Sequence, residues 1–351
     1  MKIARHIAKL EGYVPGEQPK SRRVVKLNTN ENPYPPSPKC ARVLAGFDLD
    51  SLRRYPDPNC GALCDAIAKA NGTTRDRVFV GNGSDEILSL CARVFVENDE
   101  SIASLDPSYS LYRTLAAIRD VRWIGADGSA DIDLKKTLEL LKKGNSSLFL
   151  WTNPNAPTGE FAEPGTIASF AKRFPGVTLV DEAYADFARG NCMSLATAKS
   201  NRSVIVMRTF SKSYSLAGLR VGYCIGPRDL IDALYKAKDS YNVDAVAQRV
   251  ALAAFTDRAY HRRTVAKVVK TRRSFTKELE RRGWDVIPSE SNFVFAKPPA
   301  PAKACDVFAH LRDKNIFVRY FPSPLTRDRI RITIGTDGEM KTLLDALDGR
   351  F

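Results

Sequence analysis

Thr209-Phe210-Ser211-Lys212-Ser213, followed by Gly218-Leu219-Arg220-Val221-Gly222, sets one lysine among hydroxyls with an arginine just beyond it. The run before it, Ser203-Val204-Ile205-Val206-Met207, is short and apolar, the pattern of a fully buried strand. Lys212 therefore stands where a strand ends, and open α/β sheets bind their ligands at the carboxyl ends of strands. Two further runs behave alike. Val177-Thr178-Leu179-Val180 ends on Asp181-Glu182-Ala183-Tyr184, and Ser147-Leu148-Phe149-Leu150-Trp151 runs into Thr152-Asn153-Pro154-Asn155-Ala156-Pro157-Thr158-Gly159. A fourth, Val78-Phe79-Val80, passes through Gly81-Asn82-Gly83 into an apolar helix expected to begin near Glu86. The pattern is α/β, with several strand ends bringing polar residues to one site.

Those residue types suit one kind of chemistry. An amine condenses with an aldehyde, while hydroxyls and a fixed guanidinium hold a phosphate. Pyridoxal phosphate carries both groups on one ring, which makes Lys212 the candidate for a Schiff base. A carboxylate facing the pyridine nitrogen keeps the ring protonated and electron-poor, a role that suits Asp181; the same residue would also serve as a helix N-cap after a strand. Tyr184 and the Asn153/Asn155 pair are placed to hydrogen-bond the ring's O3′. Gly81-x-Gly83 suggests a dinucleotide fingerprint, but the third glycine is missing and Asp85-Glu86 would repel a pyrophosphate.

With these residues in order, the chain resembles the fold-type-I pyridoxal-phosphate-dependent aminotransferases, and within them the branch acting on histidinol phosphate. The resemblance runs from Leu27-Asn28-Thr29-Asn30-Glu31-Asn32-Pro33-Tyr34 and Arg54-Tyr55-Pro56, through Gly83-Ser84-Asp85-Glu86 and Pro107-Ser108-Tyr109, to Arg329-Ile330-Arg331-Ile332-Thr333-Ile334-Gly335. It implies a large domain with a mostly parallel central sheet, residues 31–255, and a smaller α+β unit made from residues 1–30 and 256–351. It implies that Lys212 anchors the cofactor and carries the transferred proton. Asp181 would pair with the pyridine nitrogen, Tyr184 with O3′, and Tyr109 would stack on the ring. Gly83, Ser84, Asp85, Thr209, Ser211 and Arg220 would enclose the phosphate, with Tyr55 reaching in from the other subunit of a homodimer. The substrate carboxylate falls to Arg331 with Asn30 as helper, and Tyr13 and Arg319 lie in segments that approach the substrate. The implied reaction moves the amino group of L-histidinol phosphate to 2-oxoglutarate. Threonine-phosphate decarboxylase and an aromatic amino acid aminotransferase share the layout. The family usually has Asn directly before Pro-Thr-Gly; here that position is Ala156, so either Asn155 turns inward or Tyr184 alone serves O3′.

Composition bounds the alternatives. The 54 basic against 40 acidic residues give a net charge of +14, which raises nucleic-acid binding as a rival. Its best support is the Arg- and Lys-rich helical pattern across residues 257–282, more simply the solvated face of a helix, and nucleic acid is not expected as a partner. A regulator built on this fold would need an added helix-turn-helix, for which the chain has no room. Seven scattered cysteines without a C-x-x-C pair suit reduced thiols in the cytoplasm, and three distant histidines make no metal cluster. The amphipathic segment Met1–Leu10 lacks a signal-peptide core, and no run approaches a membrane span; it is expected to pack on a partner subunit.

Overall fold

The computed structural model describes residues 2–13, 15–19, 24–128 and 132–348; Met1 of the amphipathic N-terminal segment lies outside them, and within that segment Arg5–Ala8 form one helical turn. Seven strands make the main sheet, in the order Val78–Gly81, Gly222–Ile225, Val204–Thr209, Val177–Asp181, Ser146–Thr152, Ser101–Asp106, Arg122–Asp127. All run parallel except Gly222–Ile225, which is antiparallel to both neighbours.

The continuous apolar runs follow from burial on both faces. Phe149, Val180 and Val206 point to one face and meet Cys64, Ile67, Phe170 and Val250 from the helices Gly61–Ala70, Pro164–Ala171 and Ala245–Thr256. Leu148, Leu150, Leu179 and Ile205 point to the other and pack on Ile87, Leu88, Leu115 and Ile231 from the helices Gly83–Val94, Leu111–Ile118 and Arg228–Ala237. Register then fixes which polar residues sit side by side. Thr152 pairs with Asp181, and Gly222 lies between Thr209 and Gly81.

A second, antiparallel sheet takes the order Arg319–Tyr320, Ile330–Thr333, Phe293–Lys297, Asp285–Ile287 and buries Phe293, Ile330 and Ile332 against the helices Ala304–Asp313, Asp337–Asp348 and Arg258–Arg281. The apolar run Ile316–Val318 passes from one sheet to another. Ile316–Phe317 pair with Val25–Lys26 of the N-terminal arm, and the chain joins the four-stranded sheet only from Arg319. The basic helix is capped by the Asp257 side chain at Tyr260 N and buries Thr264, Val268, Thr271, Arg272, Phe275 and Leu279. Arg262, Arg263, Lys267, Lys270, Arg273 and Lys277 are exposed, so the charge run is one solvated face.

The arm lies along the second sheet and also reaches the loop after Val204–Thr209, where Asn32 Nδ2 donates to the Ser213 carbonyl at 3.1 Å. Leu27 N donates to the Phe317 carbonyl, Thr333 N donates to the Leu27 carbonyl, and Asn292 Nδ2 donates to the Asn30 carbonyl.

Candidate active site

The carboxyl ends of the parallel strands and the arm enclose a pocket of about 810 Å³, lined among others by Thr29, Asn30, Ser84, Asp85, Tyr109, Asp181, Tyr184, Lys212, Arg220 and Arg331. Lys212 follows the strand Val204–Thr209 and directs Nζ to the Thr29 carbonyl at 2.9 Å. Burial, reinforced by Arg331 and partly opposed by Glu31 and Asp85, pulls its amine down to about 8. At neutral pH roughly a tenth of such amines are unprotonated, against fewer than one in a thousand at the ordinary value near 10.5.

Asp181 ends the neighbouring strand and is 4% exposed. Burial pushes its carboxyl up to about 6 even though Tyr112 Oη donates to Oδ2 at 2.8 Å and Ala183 N to Oδ1 at 3.1 Å. Its side chain closes this turn and faces the pocket, so the alternative reading as a helix N-cap does not hold. Tyr112, in the first turn of the helix Leu111–Ile118, also bonds Thr152 Oγ1 at 2.6 Å. No motif in the sequence marks it, since Tyr109 stands in the turn before the helix and only Tyr112 lies within it.

The helix after Val78–Gly81 begins at Gly83, earlier than expected, because Gly83 adopts φ +79°. That start turns the Ser84 and Asp85 N–H groups into the first turn, where a helix presents unpaired donors and a positive dipole end. A Cβ on Gly83 would lie 2.6 Å from the Arg220 guanidinium, and one on Gly222 would lie 2.7 Å from Ser84 N. The two glycines therefore let arginine and helix end close together. Arg220 Nη2 meets Asp85 Oδ2 at 3.2 Å, and Nη1 donates to Ser211 Oγ at 3.3 Å. Thr209 Oγ1 donates in turn to Ser211 Oγ at 3.0 Å.

Arg331 lies between Phe293 and Phe321, its guanidinium carbon 5.3 Å from each ring centre. Nη2 donates to the Asn28 carbonyl at 2.9 Å, whereas the buried Nε finds no hydrogen-bond partner among the described residues. Burial lowers its affinity for its proton. A buried N–H left open on a guanidinium is costly, so this one calls for an anionic ligand. Arg319 donates to the Pro15 carbonyl at 3.3 Å and covers Phe321, and Tyr13 meets Tyr109 edge-on at 5.8 Å; both line the pocket. Asn30 Nδ2 donates to Tyr184 Oη at 2.9 Å, and its Oδ1 accepts from Thr333 Oγ1 at 3.0 Å.

Three of the expected residues do not line the pocket of this chain. Asn155 does not line the pocket: Nδ2 donates to the Pro107 carbonyl at 2.9 Å and Oδ1 accepts from Ser108 Oγ at 2.9 Å, so its amide secures the segment leading to Tyr109. Asn153 is likewise turned away, exchanging hydrogen bonds with Ala162. Tyr55 is 80% exposed, stacked on Tyr241 with centroids 4.3 Å apart, and outside the pocket of its own chain. Thr29, Thr152, Ser108 and Trp123 join the wall without having been singled out from sequence.

The residues fit a ligand with a ring, a phosphate and an aldehyde. Amine, carboxylate and helix end face one space, and the open Arg331 N–H leaves room for a second anion.

Residues 22–347 match the model of the family described as aminotransferase class I and II. The chain is 43% identical over 349 residues to a histidinol-phosphate aminotransferase of Syntrophotalea carbinolica, covering 98% of each. It is 40% identical over 343 residues to histidinol-phosphate aminotransferase 1 of Trichormus variabilis, covering 97% of each. In structure it is similar to the histidinol-phosphate aminotransferase of Sinorhizobium meliloti solved in complex with pyridoxal-5′-phosphate. The TM-score is 0.89 at 24% identity, over 99% of this chain and 97% of that one.

Proposed function

Because the chain belongs to the class I and II aminotransferases, we propose that it transfers the amino group of L-histidinol phosphate to 2-oxoglutarate, using pyridoxal 5′-phosphate held by Lys212. The observation that carries the reading is the meeting, in one pocket, of a desolvated amine, a buried carboxylate and a glycine-flanked helix end with its arginine. The relatives' full-length likeness at about 40% identity supports the substrate.

When bound, the cofactor supplies a protonated ring that withdraws electrons from the substrate's α-carbon. Asp181, propped by Tyr112, holds the proton on the ring nitrogen. Tyr184 serves O3′, with Asn30 fixing its hydroxyl; Asn155 is committed to Pro107 and Ser108 and does not share that task. The N–H groups of Ser84 and Asp85, with Ser211, Thr209 and Arg220, take the phosphate. Arg220 also offsets the Asp85 carboxylate beside that anion. The lowered proton affinity of Lys212 would let its amine take the proton from the donor's α-carbon near neutral pH and carry it across the site. Arg331 offers its open edge to the α-substituent of the donor and to the carboxylate of the acceptor, and Tyr13 and Arg319 border the space beyond.

The active unit is a homodimer in this reading. Leu49, Leu52 and Tyr55 are large, apolar and exposed, close together in the chain, and Tyr55 cannot serve its own pocket. The cytoplasm suits the cysteines, six buried and none in a disulfide among the described residues. No described helix is long and apolar enough to cross a membrane.

The test is a donor screen with 2-oxoglutarate as acceptor. Histidinol phosphate should exceed phenylalanine, tyrosine and threonine phosphate at least tenfold in kcat/KM, and borohydride reduction should fix the cofactor on Lys212. Release of carbon dioxide from threonine phosphate, or label on another lysine, would overturn the assignment.

A further inference from the structure

A charged cluster lies behind Lys212, outside the pocket wall. Asp186, two residues past Tyr184, accepts from Ser213 Oγ and from Arg208 Nη1, the latter at 3.1 Å. Arg208, in the strand that leads into the Lys212 loop, also donates through Nη2 and Nε to Glu182 Oε2 at 2.8 and 3.0 Å. From the long basic helix, His261 brings Nε2 to 3.4 Å from Asp186, without the alignment of a hydrogen bond, and stacks its ring on Tyr214 at 4.1 Å. Asn32 Nδ2 reaches the Ser213 carbonyl at 3.1 Å. The residue next to Lys212 is thus held at its side chain by Asp186 and at its backbone by the N-terminal arm.

Stability alone is a poor account of this cluster. Burying two carboxylates and a guanidinium carries a large desolvation cost, and apolar residues of similar volume commonly serve a core as well or better. Burial by itself would push the Asp186 carboxyl up; His261, Arg208 and Ser213 outweigh it and keep the group ionised. What the cluster joins is more telling: the turn carrying Asp181 and Tyr184, the loop carrying Lys212, and a helix of the second sheet's layer. A one-ångström error in the reach of a reacting amine costs on the order of a hundredfold in rate.

We propose that Asp186 is a positioning residue whose grip on Ser213 sets the reach of the Lys212 amine relative to Asp181 and Tyr184. It rests on the reading of Lys212 as the cofactor-bearing amine.

Two variants test it. Asp186→Asn keeps the volume and removes the charge that gathers Arg208; Ser213→Ala removes only the link to the neighbour of Lys212. In cofactor-free protein, amides of residues 210–216 should exchange with deuterium at least about tenfold faster in both, with residues 146–152 unchanged. In the holoenzyme, kcat should fall about 10- to 100-fold while the donor KM stays within about twofold, and the pH midpoint of the bound cofactor's absorbance should move in the same direction in both variants. Exchange that accelerates over the whole chain, or a Ser213→Ala protein with wild-type local exchange and kcat, would overturn the proposal. If Asp186→Asn does not fold, Ser213→Ala decides alone. The exchange readout needs no cofactor, so a failure of the Lys212 assignment would show in the borohydride mapping and not here.

Discussion

Tyr112 supports Asp181 from outside the pocket wall, its hydroxyl 2.8 Å from Oδ2, so that the carboxylate is held by a group that does not itself line the pocket. This bond pulls against the burial that raises the Asp181 carboxyl to about 6. Removing it in Tyr112→Phe should raise that value by about one to two units, since a hydrogen bond to a charged group is worth about 1.5–3 kcal/mol. Titration of cofactor affinity against pH in the apoprotein should then show the acid limb displaced upward, with binding near wild type restored at pH 8 to 9.

Asp181 also carries a stability cost in the cofactor-free protein. Its folded value near 6 stands above the ordinary 3.8, so the folded state binds the proton more tightly. The resulting stabilisation is complete below about pH 4 and is lost as pH rises through about 6, on the order of 3 kcal/mol at most. Asp181→Asn should therefore leave apoprotein that melts no lower than wild type at pH 7, with the wild type gaining relative to it on acidification toward pH 4. Transamination should fall by orders of magnitude. Thermal melts of both proteins across this range provide the check.

Arg331→Lys keeps the charge but loses the fork and the Nε edge. Donor and acceptor KM should both rise about 10- to 100-fold with the cofactor dissociation constant within about twofold. Equal losses for cofactor and substrates in steady-state kinetics would instead place Arg331 in the framework of the second sheet.

Mixing Tyr55→Ala with Lys212→Ala tests the shared site. In a two-fold dimer, random exchange makes half the dimers mixed, and each restores one of two sites, so activity should recover to about a quarter of wild type. No recovery after verified subunit exchange would contradict a tyrosine supplied across the interface.

The strand ends were legible because a buried apolar run fixes where the sheet stops, and the polar residue that follows it must then stand at the sheet's edge. Lys212, Asp181, Tyr184 and the Gly83-Ser84-Asp85 turn all announce themselves in that way. Direction was not legible. Asn155 and Ala156 are adjacent, yet only Ala156 lines the pocket, because Ser108 and the Pro107 carbonyl, more than 40 residues away in the chain, claim the asparagine. Strand alternation puts Arg329 and Arg331 on the same face, yet Arg329 is taken by Asp285 at 2.5 Å and only Arg331 lines the pocket. The Thr29 carbonyl, the nearest partner of Lys212, was beyond reach of any motif, since backbone groups carry no residue identity.

The arm along the second sheet has a bearing on the order of synthesis. Strands and turns presenting Ser84, Asp181, Lys212 and Arg220 are complete once residue 225 has been made, whereas Asn28 and Asn30 meet Arg331 and Thr333 across 303 residues. Closing so long a loop comes late and slowly. A nascent chain thus possesses the walls that carry Asp181 and Lys212, and the arm's partners Tyr184 and Ser213, well before the wall that carries Arg331 exists, and the arm, the first of these parts to be translated, completes its contacts last.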